Sequence, residues 1–219
     1  MIDLNQLMAS PQFSSSIQLI LAMSLISLIP FFLISVTSFL RIIIVFSLVR
    51  TAIGTQQVPP SSVLVGLAFF MTVFIMAPVW NETNETAVIP YNKHQMSQTK
   101  AIEVGLKPLQ QFMIRQTREK DLALFVQFSR LKTPKTAADV PLYVLIPSFM
   151  ISELRTSFQI GFLLFIPFIM IDLIVSNILL SLGMFMLSPV MVSLPFKILL
   201  FVLADGWNLI SRGLLTSFR

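Results

Sequence analysis

Residues Gly161 to Trp207 read GFLLFIPFIMIDLIVSNILLSLGMFMLSPVMVSLPFKILLFVLADGW. Between Gly161 and Ala204 the only formal charges are Asp172 and Lys197. One membrane crossing needs about 20 apolar residues, so this run is too long for one and suits two. The fold point is Gly183-Met184-Phe185-Met186-Leu187-Ser188-Pro189, where a helix-weakening Gly and a helix-breaking Pro bracket a Met/Phe triplet. Folding there sets Asp172 and Lys197 at matched depth. At the rise of a helix, each lies about 16–18 Å from the tip. Insertion scales charge roughly 2.5–3.5 kcal/mol for an Asp or Lys at a bilayer centre, so each is a candidate functional residue. Three readings are open. The two pair within the hairpin as a lock; they pair with charges of other subunits, such as Glu153, and set assembly register; or Asp172 serves a proton or ion path. The tip has two readings as well: a turn buried in apolar surroundings, or a constriction of adaptable Met side chains.

The composition agrees with a membrane chain. Of 219 residues, 55% are hydrophobic and 11% charged, against about 25% charged in an ordinary soluble domain. The net charge of +5 is scattered, unlike a nucleic-acid footprint. There is no cysteine, and one histidine, His94, cannot build a metal site. Phosphate-binding loops, zinc-protease pairs and nucleophile elbows are absent from the sequence. Neither an enzyme nor a cofactor is expected.

Upstream, residues 1–80 read as N-terminal hydrophobic helices. The first 16 residues lack the basic start and small-residue cleavage pattern of a signal peptide. Ile17 to Leu40 is expected to be one crossing kinked at Pro30. Arg41 to Arg50 continues it, either out of the bilayer or buried in protein, and Gly54 ends it. The two arginines place that end in the cytoplasm and the N-terminus outside. Ser61-Ser62 caps a second crossing, Val63 to Trp80, with Trp80 at the interface.

Residues 81–140 form a polar, helical, extracytoplasmic insert. Asn81-Glu-Thr and Asn84-Glu-Thr match a glycosylation pattern that is common by chance. Helices are expected over Ser97–Gly105, Pro108–Gln116 and Leu122–Ser129, with a charged break at Thr117–Asp121. The last helix is apolar on two faces, so it either fills the insert's own core or meets a partner. Residues 141–219 complete the chain. Pro141–Met150 is expected to be a short re-entrant piece broken at Pro147, followed by the hairpin and an amphipathic tail. The fold class is all-α: about four long hydrophobic helices in membrane hairpins, plus the small helical insert.

Several stretches together resemble the FliP family, the export-gate proteins of type III secretion, called SctR in virulence systems. They are Thr37-Ser-Phe-Leu-Arg-Ile-Ile-Ile-Val45 with Arg50, Gly66-Leu-Ala-Phe-Phe, Gln111-Phe-Met-Ile-Arg-Gln-Thr-Arg-Glu119 with Asp121-Leu, Ser152-Glu-Leu-Arg and Phe158-Gln-Ile-Gly-Phe. Ile171-Asp-Leu, Leu182-Gly-Met, Leu194-Pro-Phe-Lys and Asp205-Gly-Trp207 complete the set. The similarity runs from Ile17 to Trp207, and the Phe112–Glu119 stretch is most like flagellar members. The resemblance implies a subunit of the bacterial inner membrane, within the flagellar basal body. Several FliP copies assemble there with FliQ-like and FliR-like partners into a pore for unfolded export substrates. It also implies that these helices are largely raised out of the membrane plane in the assembly.

By the same resemblance, the family's methionine-rich constriction falls on Met184, Phe185 and Met186, with Phe at a position where flagellar relatives commonly carry Met. Glu153 and Lys197 fall on positions tied to subunit packing, which favours a contact between them across subunits and leaves Asp172 without an assigned partner. Phe112 and Phe125 fall on FliP–FliP contact positions. The alternatives are the same role in a virulence injectisome, or a secondary transporter or ion-channel subunit using Asp172.

Overall fold

A computed structural model of the chain describes residues 11–55, 57–129, 136 and 139–218. Among these the regular structure is entirely helical. Most of the loop expected over residues 132–140 lies outside the described residues.

Helix α1 (Pro11–Val36) passes through Pro30 and stops at Thr37-Ser38, before α2 (Phe39–Ile53). The two meet at a 76° bend, so the expected single helix to Leu40 is broken, and the break lies seven residues beyond Pro30. Ser and Thr hydroxyls cause it locally. Ser35 Oγ donates to Phe31 O at 2.7 Å and Thr37 Oγ1 donates to Leu33 O; such back-bonding competes with the helix ladder and bends it. Thr37 Oγ1 then accepts the Phe39 N–H at 3.3 Å, giving α2 a partner for an otherwise orphaned donor.

The bend drives α2 into the middle of the molecule. Ile42, Val45, Phe46 and Val49 are fully buried, with Leu64, Ala68, Phe168, Phe201, Ile210 and Leu214 around them. Of the two readings of Arg41–Arg50, burial in protein is the correct one. Gly54 closes α2 at φ +88°, donating to Thr51 O, in the left-handed conformation that glycine adopts without strain.

Helix α3 (Ser61–Thr83) starts after Pro60, and its expected serine cap is absent. Ser61 Oγ instead accepts from Arg50 Nη1 at 3.0 Å. The helix does not end near Trp80. It runs through a π-helical turn (Asn84–Val88) into α4 (Ile89–Asn92), making one rod of 32 residues. Pro90 has no N–H for the i→i−4 ladder, and Ile89 N–H reaches back five residues to Asn84 O.

The insert helices follow as α5 (Gln98–Gly105), α6 (Lys107–Gln116) and α7 (Glu119–Phe128). The charged break shrinks to Thr117-Arg118, because Glu119 and Asp121 suit the positive end of the α7 dipole. Leu122, Phe125 and Val126 pack on a second core of Met113, Val140, Val144, Leu145 and Phe149. Leu124 and Phe128 stay exposed. One apolar face of α7 thus packs on a core that the insert shares with the start of α8, neither the insert's own nor a partner's, and the other is uncovered in the single chain.

Helix α8 (Leu142–Ser181) runs 40 residues, about 60 Å. The expected re-entrant break at Pro147 does not occur. Val144, Leu145, Ser148, Phe149 and Ser152 are buried along this first third, and that packing outweighs one lost hydrogen bond. At Gly161 the Leu48 side chain of α2 lies so close to the α8 backbone that a Cβ would meet Leu48 Cδ1 at 2.2 Å and Leu48 Cβ at 3.2 Å. After the tip, α9 (Pro189–Leu203) returns, and a 61° bend leads into α10 (Gly206–Thr216). Trp207 docks that bend edge-on to Phe201 at 5.3 Å and to Phe46 at 6.0 Å. The rod Ser61–Asn92 and α8 are each long and apolar enough to cross a membrane, and the bent pairs α1/α2 and α9/α10 bring the possible crossings to four.

Candidate functional site

Three features carry the chemistry: two charge centres inside the helix packing, and the exposed tip between α8 and α9. The tip is built by a helix-ending motif. Gly183 takes φ +71°; its N–H donates to Leu180 O at 3.1 Å, and the Met184 N–H donates to Leu179 O at 2.9 Å. These paired bonds satisfy the last carbonyls of α8. Pro189 opens α9 where its missing N–H does no harm. Between these two fixed ends Met184, Phe185 and Met186 project with 44, 76 and 101% of their surface exposed. These apolar side chains, at the end of a well-terminated hairpin, are uncovered in the single chain.

The first charge centre holds the arms of this hairpin in register. Asp172 Oδ2 lies 2.6 Å from Lys197 Nζ. Ser193, one turn before Lys197 on α9, donates to Asp172 Oδ1 at 2.5 Å. Lys197 Nζ also reaches Ala52 O at 3.5 Å, among the last carbonyls of α2, where a cation is favoured. Both carboxylate oxygens and the ammonium therefore have partners inside one chain. Of the three readings of this pair, the structure matches the lock within the hairpin, and the lock extends to a third helix.

The second centre was not foreseen as a pair. Arg41 on α2 holds Glu153 on α8 through two parallel contacts, Nε to Oε2 at 2.8 Å and Nη2 to Oε1. Such a fork is the strong geometry for arginine and carboxylate. Nη1 donates to Ser217 O and Ser217 Oγ, each at 3.0 Å. Nη2 also donates to Gln116 Oε1 at 3.0 Å. These contacts occupy all five guanidinium N–H groups. The Phe218 ring lies 3.9 Å from Arg41 Cζ and stacks on Phe112 at 6.3 Å. On the residue just before Glu153, Ser152 Oγ donates to Asp121 Oδ2 at 2.6 Å and accepts the Arg118 N–H at 3.0 Å. The centre thus ties α2, α6, α7, α8 and the end of α10 together.

Within one chain Glu153 and Lys197 are not each other's partners: Glu153 is fully buried against Arg41, and Lys197 is paired with Asp172. Arg41 likewise is a core residue and no flanking charge, so the orientation reading keeps only Arg50 from the original two. Phe112 and Phe125 are both half-buried in the second core, with Phe112 also 6.1 Å from Phe149.

The sequence carried only a weak signal for this pair: Arg41 is followed by Ile-Ile-Ile-Val, but Glu153 lies among Ser152, Arg155 and Thr156, so a local partner was available to it.

A family model described as the FliP family matches residues 22–214. The flagellar biosynthetic protein FliP of Bacillus subtilis is 50% identical over 205 residues, covering 94% of this chain and 93% of that protein. The protein of the same name in Caulobacter vibrioides is 49% identical over 203 residues, covering 93% of this chain and 76% of the relative. That of Pectobacterium carotovorum is 48% identical over 203 residues, covering 93% and 79%.

Proposed function

Since the chain belongs to the FliP family, we propose that it is a pore-forming core subunit of the flagellar type III protein export gate. Its copies assemble in the bacterial inner membrane with FliQ-like and FliR-like subunits, with residues 81–140 on the periplasmic side. The observation that carries this reading is the tip. Met184, Phe185 and Met186 project from a hairpin whose arms are pinned by Asp172 and Lys197. Several such tips brought together would make an apolar ring. Unbranched Met side chains close such a ring by van der Waals contact and yield to polypeptides of varied shape, and an apolar constriction resists water and ions.

The flagellar reading is supported over the injectisome reading by relatives whose names are all flagellar. The transporter reading loses support because both Asp172 oxygens are already engaged. The role is non-enzymatic: the chain positions a passage, and the energy is supplied by other parts of the apparatus.

The test replaces Met184 and Met186 by Ala in the assembled complex. Small-ion leak across the membrane should rise while assembly and stability hold. An unchanged leak in correctly assembled complexes would remove the constriction.

A further inference from the structure

Ser38 is the exception among the buried hydroxyls. Among the described residues its Oγ is the one buried side-chain polar atom without a hydrogen-bond partner. It stands in the break between α1 and α2, at the 76° bend. The helical hydroxyls around it all donate to the carbonyl four residues back: Ser35 to Phe31, Thr37 to Leu33, Ser47 to Ile43 and Thr51 to Ser47. The same pattern would give Ser38 the Ile34 carbonyl in a continuous helix, and the bend takes that acceptor away. A buried hydroxyl without a partner is disfavoured, so the bent form is locally the poorer one.

Contacts distant along the chain hold the bend. Back-bonding at Ser35 and Thr37 weakens the helix ladder there. Ser47 and Thr51 do the same inside α2 without breaking it, so the size of the turn is set elsewhere. It is set by α8, where Glu153 forks onto Arg41 and Gly161 makes room for Leu48. Both contacts act on α2, beyond the break. Until Glu153 is in place, Arg41 has no counter-charge, and a buried unpaired guanidinium is costly. One continuous helix resolves this. Ile17 to Leu40 carries no formal charge and is long enough to cross a membrane, which leaves Arg41 at its watery end.

We propose that Thr37-Ser38 is a two-state hinge. The residues of α1 and α2 form one continuous helix while Arg41 lacks its partner, and docking of α8 bends it. The bend trades the hydrogen bond from Ser38 to Ile34 for the Arg41–Glu153 fork and the burial of α2. Arg41 thereby passes from a water-facing position to the core. The hinge does not depend on the tip or on the export reading.

The chain has no cysteine, so Ser27→Cys with Thr51→Cys, both exposed, sets one spin-label pair across the hinge of the full-length protein. The two positions lie about 36 Å apart along a continuous helix and about 28 Å apart at the 76° bend. The parent should give the shorter distance. Glu153→Gln/Gly161→Leu removes the counter-charge and drives Leu48 off α8, so the longer distance should come in. A second pair, Thr51→Cys with Phe158→Cys, reads whether α8 has moved away. Adding Ser38→Ala to that variant should lower the ratio of long to short populations about fivefold, the weight of one hydrogen bond. The shorter distance persisting after α8 has left overturns the hinge, and so does a ratio that ignores Ser38→Ala. If α8 stays docked or the variant aggregates, Ser38→Ala in the parent decides by thermal melting. Its midpoint must hold or rise, because the bent form gains nothing from that hydroxyl. A fall of more than about 3 °C refutes the hinge, since the hydroxyl would then be satisfied in the bent form.

Discussion

Removing Asp172 should harm the chain more than removing Lys197, although the two are partners. The asymmetry follows from burial. The Lys197 side chain is 5% exposed and that of Asp172 31%. Asp172→Asn leaves a buried ammonium with the distant Ala52 carbonyl and a neutral amide. Stranding a buried charge costs about 3–5 kcal/mol. Lys197→Met leaves a carboxylate that keeps the Ser193 hydroxyl and is the less buried of the two groups, so the loss is about 1–2 kcal/mol. The double variant Asp172→Asn/Lys197→Met strands no charge and should return to within about 1 kcal/mol of the parent. For a chain of this size 1 kcal/mol moves the melting midpoint by roughly 2–4 °C. Thermal unfolding of the full chain in mild detergent should therefore give midpoints in the order parent, double variant or Lys197→Met, then Asp172→Asn. A Lys197→Met midpoint below that of Asp172→Asn would refute the burial argument. A double variant as unstable as the sum of the singles would show that the two residues do not act as a pair.

Other outcomes follow from the same geometry. Glu153→Gln should cost about 3–5 kcal/mol, because it leaves the Arg41 guanidinium buried without its counter-charge; a midpoint shift under about 3 °C would contradict this. Ending the chain after Thr216 removes the Ser217 acceptors and the Phe218 ring from Arg41. A drop of about 2 kcal/mol is expected in the same melt, and an unchanged melt would mean the tail contributes nothing to the centre. Gly183→Ala places a Cβ at φ +71° and should cost about 1 kcal/mol while fraying the end of α8; hydrogen exchange at the Gly183 and Met184 amides should speed up, and unchanged exchange would refute the helix-ending motif.

The sequence told most where one residue dominates its surroundings. Gly183 and Pro189 mark the hairpin turn because each restricts the backbone by itself, and the turn lies between them. Gly54 marks the end of α2 for the same reason. Matched depth offered an Asp172–Lys197 pair as one of three open readings, and within one chain the two are 2.6 Å apart; the resemblance instead placed Lys197 with Glu153 across subunits. What the sequence hid depends on contacts distant along the chain. Arg41 and Glu153 are 112 residues apart, and nothing local to Arg41 distinguishes a membrane-flanking arginine from a buried one. Prolines misled twice. Pro30 drew attention from the Ser35 and Thr37 back-bonds that bend the chain, and Pro147 looked like an end of helix until the packing of Val144, Leu145 and Phe149 is seen to carry α8 across it. Trp80, expected at an interface, does not end its helix, and the rod runs on to Asn92.

The central claim is that the Met/Phe tip touches the passing substrate. A photo-crosslinker placed at Met186, in cells whose export is stalled by a substrate with a folded C-terminal block, tests it most directly. The account predicts a covalent adduct between residue 186 and the unfolded part of the stalled substrate, with no such adduct from a crosslinker at Phe162 on the outer face of α8. Adducts from position 162 and none from position 186 would contradict it.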